Sequence, residues 1–361
     1  MRKISVAAAL AAAAILIVVA LRLLPPGPAG DEAGPVSKTF VAMGSPCRIT
    51  VWARPQERKA AERAVLRAQE AVEAVDAALS LYRDDSEIVR VNREAAEREV
   101  EISPLFADCL ADALEAERVS NGLFDPLLKP VLDLWGFEPG SGPKRVPPPE
   151  ALAKALPLCD SGLLVFDRAA RTVRFRKPGM GLDLNGIAQG FATERAAAAL
   201  RKAGVRSALV ESGGGEFEAI GSKPGGAPFR VGIRKPSRGS ADLVGIVEIS
   251  SVALATSGDY EKYFVFDGER YSHLIDPRTG FAKGVPPCSV TVLGPSCSRC
   301  DALATACAVL DAGEAVRFIE TLDGYEVIIA VQGKDGPVWF KSSGVEGKAP
   351  LFRLLRGRGD N

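Results

Sequence analysis

Between Arg58 and Leu79 the apolar positions Ala61, Val65, Ala68, Val72, Val75 and Leu79 return every three or four residues, with Arg, Glu and Gln between them. That period predicts a helix with one buried face. A second helix is predicted over residues 103–120, with Ser103 as cap, Pro104 as first helical residue and Asn121-Gly122 as stop. Residues 186–203 read as a third, closed by Gly204. Residues 300–310 and 312–321 read as two shorter ones. Short apolar runs between Gly, Pro and polar turns predict strands. They fall at 39–53, interrupted by small residues after Met43, and at 207–212, 229–233, 243–249, 263–266, 289–293 and 325–331. Residues 163–175 predict a hairpin, and 80–92 an irregular polar stretch. Strands cluster with long helices instead of alternating with them. The expected fold class is therefore α+β, mainly antiparallel sheets with packed helices.

The N-terminus carries a different pattern. Met1-Arg2-Lys3 is followed by an uncharged run from Ile4 to Ala20, and Pro25-Pro26-Gly27-Pro28 follows shortly after. This reads as a signal anchor or a signal peptide over residues 1–24. The run is close to the ~20 residues a membrane helix needs. Arg2 and Lys3 would stay cytoplasmic, so the rest of the chain is expected on the extracytoplasmic, periplasmic side. Cleavage near Ala29-Gly30 is the other outcome, and the absence of cysteine from positions 20 to 30 leaves lipid attachment unsupported. Residues 25–37 are expected to be a flexible linker, 38–345 the main folded domain and 346–361 a C-terminal tail.

Lys+Arg and Asp+Glu both total 45, and a balanced chain argues against a large nucleic-acid surface. Of seven cysteines, Cys288, Cys297, Cys300 and Cys307 crowd together, with Cys297 and Cys300 in C-x-x-C spacing. They read either as buried thiols or as a local bridge; no second pair or nearby histidine completes a zinc site.

Four segments carry chemistry. His273, the only histidine, stands in Tyr271-Ser272-His273-Leu274-Ile275-Asp276-Pro277-Arg278-Thr279-Gly280. It can cap a strand end through a backbone hydrogen bond or act as a general base near neutrality. Asp301 and Thr305 lie one helical turn apart and offer two hard oxygen donors suited to Mg²⁺. The bland alternative is Asp301 as helix cap with Thr305 packed on a neighbour. Asp183-Leu184-Asn185-Gly186 opens a helix with small residues at its start, good for anion approach or for tight packing through Gly186 and Gly190. Gly213-Gly214-Gly215 follows a strand, but the P-loop and dinucleotide glycine patterns are absent.

In order along the chain, these segments resemble one family. Met43-Gly44-Ser45 is similar to its M-G-[ST]. Ser80-Leu81-Tyr82 through Ser86-Glu87-Ile88 and Asn92 is similar to S-x-Y…S-E-[IL]…N. Gly122-Leu123-Phe124-Asp125-Pro126 with Leu134-Trp135-Gly136-Phe137 is similar to G-x-F-D-P…L-W-G-F. The run from Asp183 to Ala192 is similar to D-L-G-G-I-A-K-G-Y-A. Ala255-Thr256-Ser257-Gly258-Asp259-Tyr260-Glu261 is similar to A-T-S-G-x-Y-E. The His273 segment is similar to H-I-I-D-P-x-T-G, and Asp301 to Thr305 to D-x-L-A-T. The family is the FAD:protein FMN transferases, the ApbE family. Asn185 departs from its usual glycine, Gln189 from its usual lysine and Cys300 from its usual alanine.

The resemblance implies an ApbE, T-fold-like domain that splits FAD at its pyrophosphate with Mg²⁺, passes FMN to a Ser or Thr hydroxyl of a target protein, and releases AMP. It implies Asp301, Thr305 and the Gly186 carbonyl as metal ligands. Met43, Tyr82, Leu123, Phe124, Asp125, Asp183, Gln189 and Ile275 would line the FAD site, and His273 would be the base. Expected partners are FAD, acceptor flavoprotein domains such as subunits of membrane redox pumps, and the membrane through the N-terminal segment. The alternatives are an Mg²⁺-dependent FAD pyrophosphatase and a non-enzymatic FAD-binding protein.

Overall fold

The computed structural model describes residues 32–137, 142–236, 242–258, 262–282, 288–346 and 352–354. The N-terminal apolar segment, most of the linker and tail, and Asp259-Tyr260-Glu261 lie outside the described residues.

β1 (Gly34–Ala42) and β2 (Ser45–Ala53) form a hairpin. It starts inside the stretch expected to be linker, since Gly34 to Ser37 pair with Ala53 to Thr50. Ala42 pairs with Ser45, so Met43 and Gly44 are a two-residue turn at φ 52° and 68°. Such a turn matches the twist of the strands it joins. Glycine adopts that conformation freely and methionine does not. Met43 is held by its backbone N–H, which donates to Asp76 Oδ1 at 2.9 Å.

α1 (Arg58–Leu79) keeps its expected bounds and buries all six apolar positions that predicted it. Residues 80–92, expected to be irregular, instead contain α2 (Glu87–Glu94), capped by the Ser86 hydroxyl accepting the Val89 N–H. Its buried apolar residues are only Ile88 and Val91, too few to display a period. After β3 (Val100–Glu101) comes α3 (Pro104–Val119), with the Ser103 hydroxyl accepting the Phe106 N–H at 3.1 Å. α4 (Lys129–Trp135) and α5 (Pro149–Ala155) precede the expected hairpin of β4 (Leu164–Asp167) and β5 (Thr172–Phe175). α6 (Asn185–Lys202) runs to Gly204, which sits at φ 81°.

Then follow β6 (Ala208–Ser212), β7 (Glu216–Ile220), β8 (Phe229–Arg234), β9 (Leu243–Ile249), β10 (Ala253–Gly258), β11 (Tyr263–Phe266), β12 (Glu269–Ser272) and β13 (Cys288–Gly294). α7 (Cys297–Ala308) starts three residues earlier than expected. Its cap is Ser296, whose Oγ accepts the Arg299 N–H at 3.2 Å, so Asp301 is not a cap. α8 (Ala312–Ile319), β14 (Glu326–Gly333), β15 (Gly336–Lys341) and β16 (Phe352–Leu354) complete the described chain.

Eight strands form one fully antiparallel sheet in the order β1-β2-β6-β7-β10-β13-β14-β15. Side chains alternate across its two faces, as strand geometry requires. Ala255, Val290 and Val292 join α7 and α8 in one core, while Leu254, Leu293 and Ile328 meet β8 and β9 in another. α1, α6 and α7 lie side by side on the first face. α6 and α7 approach most closely at Gly190, where a Cβ would stand 2.4 Å from the Cys297 carbonyl oxygen and 2.6 Å from Asp301 Cβ. Tight packing is therefore the role of Gly190. The α+β, mainly antiparallel expectation describes this architecture.

Cys47, Cys109, Cys159, Cys297, Cys300 and Cys307 are free thiols, so the C-x-x-C pair forms no bridge.

Candidate functional site

A cleft of about 660 Å³ opens where the start of α6, the second and third turns of α7, the β1–β2 turn and the segment after β12 converge. That size suits a nucleotide-sized ligand. All twelve residues singled out in the sequence line it: Met43, Tyr82, Leu123, Phe124, Asp125, Asp183, Gly186, Gln189, His273, Ile275, Asp301 and Thr305. They come from segments more than 250 residues apart and are joined only by the folding of the large sheet.

Asp301 is the centre of the polar end. Its carboxylate is buried, and Oδ2 accepts the Gly190 N–H at 2.9 Å. Among the described residues no Lys or Arg pairs with it. Burial lifts its carboxyl well above the usual carboxylate range, against the pull of that one N–H. In a regular helix the Gly190 N–H would close on the carbonyl of Gly186, four residues earlier. Here the same N–H also donates to Asp301 Oδ2. The Thr305 hydroxyl lies 3.3 Å from Ser257 Oγ, and a Cβ on Gly186 would reach within 3.2 Å of Thr305 Oγ1. One carboxylate, one hydroxyl and one carbonyl make an all-oxygen donor set that fits a hard cation with open positions. No cluster of three or more His, Cys, Asp or Glu suited to a metal exists among the described residues.

Asp183 stands at the mouth of α6. Its Oδ1 accepts the Asn185 N–H at 2.8 Å, which satisfies one of the donors a helix start leaves open. Asn92 clamps the preceding residue, donating to the Leu182 carbonyl at 2.9 Å and accepting the Leu182 N–H at 2.7 Å. Burial raises the Asp183 carboxyl, and the Asn185 N–H, Lys129 and Lys262 draw it back. Asp125 accepts the Leu127 N–H at 2.7 Å and is pushed up to about 7, chiefly by burial. Gln189 lies against the β6–β7 turn, where a Cβ on Gly213 would collide with its Oε1. Ile275 is buried against the cluster around Trp135, whose indole N–H donates to the Gly280 carbonyl at 2.8 Å.

His273 does make the backbone contact expected of a strand-end cap. Its Nδ1 lies 3.1 Å from the Lys262 carbonyl oxygen, and its main-chain N–H donates to the same oxygen at 3.0 Å. A carbonyl only accepts, so Nδ1 carries the ring proton and Nε2 is left as the acceptor. Burial, then the charge of Lys262, pushes the imidazole down to about 4, with smaller pushes from Lys144 and Arg270. The ring is therefore neutral at pH 7. The cap contact and a base role are compatible, because the first fixes the tautomer the second needs.

Among the other lining residues, Ser257 stands in a quoted motif without an assigned role, and Lys262 escaped the sequence reading. The signal for Lys262 was present. Asp267-Gly268 is a two-residue turn at φ 51° and 79°, which pairs Phe266 with Glu269 and Tyr263 with Ser272. Counting one step further sets Lys262 opposite His273.

The ApbE family model matches residues 43–329. An FAD:protein FMN transferase of Haemophilus influenzae is 33% identical over 273 residues, covering 74% of this chain and 78% of that protein. One of Treponema pallidum is 33% identical over 317 residues, covering 82% and 85%. Among solved structures, the apo form of the flavinyl transferase ApbE of Pseudomonas stutzeri superposes with a TM-score of 0.77 at 31% identity, covering 87% of this chain and 96% of that one.

Proposed function

Because the chain belongs to the ApbE family of FAD:protein FMN transferases, we propose that it splits FAD at the pyrophosphate and esterifies FMN to a Ser or Thr hydroxyl of an acceptor protein. The observation that carries this reading is one cleft holding both a buried carboxylate with no cationic partner among the described residues and a neutral imidazole of defined tautomer.

Asp301, Thr305 and the Gly186 carbonyl would hold Mg²⁺. When bound, the ion neutralises phosphate oxygens and acts as a Lewis acid on the phosphorus to be attacked. Phe124, Leu123 and Ile275 offer apolar surface for the isoalloxazine end, and Met43, Tyr82, Asp125, Asp183 and Gln189 border the rest of the substrate. His273 Nε2 takes the proton of the acceptor hydroxyl as its oxygen bonds to the FMN phosphorus. The bridging P–O bond breaks, and its electron pair leaves on AMP. Phosphoryl transfer of this kind needs positioning and charge neutralisation more than covalent help from the protein.

The uncharged N-terminal run supports a membrane-tethered or exported enzyme whose domain works on the periplasmic side. Acceptors there would be flavin-carrying subunits of membrane redox pumps. No helix among the described residues is long and apolar enough to cross a membrane.

The test is to incubate the protein with FAD, Mg²⁺ and a candidate acceptor domain and to read in-gel flavin fluorescence. Fluorescent acceptor should appear, and Asp301→Ala should lower the rate by about three orders of magnitude, the loss of several kcal/mol of charge stabilisation. AMP release that ignores the acceptor would instead identify an FAD pyrophosphatase.

A further inference from the structure

The cleft carries a charge problem. Carboxylates of Asp125, Asp183, Glu216 and Asp301 line it, and the cations lining it among the described residues are Lys262 and Arg234. The pyrophosphate of FAD brings about two more negative charges, and one divalent cation at Asp301 cannot balance them all. Gln189 is neutral at the position where the resembling family has lysine. Lys129 does not line the cleft and is paired with Asp133 at 2.7 Å.

Lys262 lies one step beyond the β11–β12 ladder, opposite His273, and its carbonyl accepts the His273 N–H at 3.0 Å. Residues directly opposite in an antiparallel pair put their side chains on the same face, with Cβ atoms about 5 Å apart. The side chains of Lys262 and His273 therefore leave the hairpin on the same face and both line the cleft, and among the described residues Lys262 makes no ion pair. Its charge reaches Asp183 as well as His273. A flexible point charge of this kind is a good ligand for a phosphate oxygen.

Resting on the flavin-transfer reading, we propose that Lys262 is a substrate-binding residue whose ammonium holds a non-bridging oxygen of the FAD pyrophosphate next to His273, in place of the lysine this chain lacks at Gln189. One residue then serves both partners of the reaction, its carbonyl fixing the base and its side chain fixing the phosphate.

Binding of FAD and of riboflavin, which has no phosphate, tests this on the full-length protein with saturating Mg²⁺, by quenching of flavin fluorescence. Lys262→Met should weaken FAD about 10- to 100-fold, the range of a hydrogen bond to a charged group, and leave riboflavin unchanged. Lys262→Arg should restore most of the loss, and Lys262→Gln repeats the neutral arm should the methionine variant not fold. FAD binding unchanged in both neutral variants overturns the proposal. So does an equal loss of FAD and riboflavin, which would make Lys262 a prop for the hairpin. Wild-type protein that binds no FAD would instead bring down the transferase reading on which the proposal stands.

Discussion

On the proposed reaction, His273 joins two roles that the sequence left as alternatives. The Lys262 carbonyl holds the Nδ1–H, and the same contact turns Nε2 into the acceptor. Only the neutral ring can accept a proton, so activity should be lost where the ring becomes charged. The ring is pushed down to about 4, below the ordinary imidazole value. At saturating Mg²⁺, the acid limb of kcat/KM that belongs to His273 should therefore lie near 4 and not at 6.5, apart from any limb set by the raised carboxyls of Asp125 and Asp301. His273→Ala should remove that limb and lower the rate by ~10²–10⁴ while FAD binding persists. An acid limb near 4 that persists unchanged in His273→Ala, or a variant running at the wild-type rate, would show that His273 is not the base.

Gly190 decides how α6 meets α7. Its missing side chain lets the Cys297 carbonyl and Asp301 Cβ occupy the space a Cβ would need, and its N–H reaches Asp301. The same glycine thus sets the helix spacing and the orientation of the carboxylate. Gly190→Ala forces the helices apart, an overpacking that costs about 1–3 kcal/mol. The melting temperature should drop by several degrees, at ~2–4 °C per kcal/mol for a domain of this order of size. Mg²⁺ affinity, read by calorimetry, should fall with it. A variant that melts and binds Mg²⁺ like the wild type would mean the crossing is looser than drawn. α7 also illustrates how a boundary was misread. Cys297, Ser298 and Arg299 carry no apolar period, so the helix was expected from Cys300, whereas the Ser296 cap and its hydroxyl bond to Glu194 Oε2 at 2.7 Å start it earlier.

The crowded cysteines belong to the shared core of the large sheet and its helices. Cys297, Cys300 and Cys307 are buried on α7, and burial pushes the thiols of the first two far above their ordinary range. Reductant should leave the melting temperature of the whole protein unchanged. Iodoacetamide should mark these three residues only once the protein is unfolded, as peptide mass mapping would reveal. Labelling of the native protein, or a melting point that falls with dithiothreitol, would point to a bridge or an open core.

Much of this was legible in the chain. Long helices with a regular apolar period, such as α1, declare themselves because a buried face must recur every three or four residues. The twelve residues picked out through ordered motifs, each weak alone, are gathered by the fold into one cleft. Strands such as β7 and β10 were not legible, because β7 buries Glu216 and Glu218 and β10 is built of small residues, so neither shows strand alternation. Electrostatics were hidden too. The neutrality of His273 and the raised carboxyl of Asp301 depend on burial that the folded chain alone creates. Local order can be read from nearest neighbours in sequence; the field inside a cleft is set by groups that only the tertiary structure brings within reach.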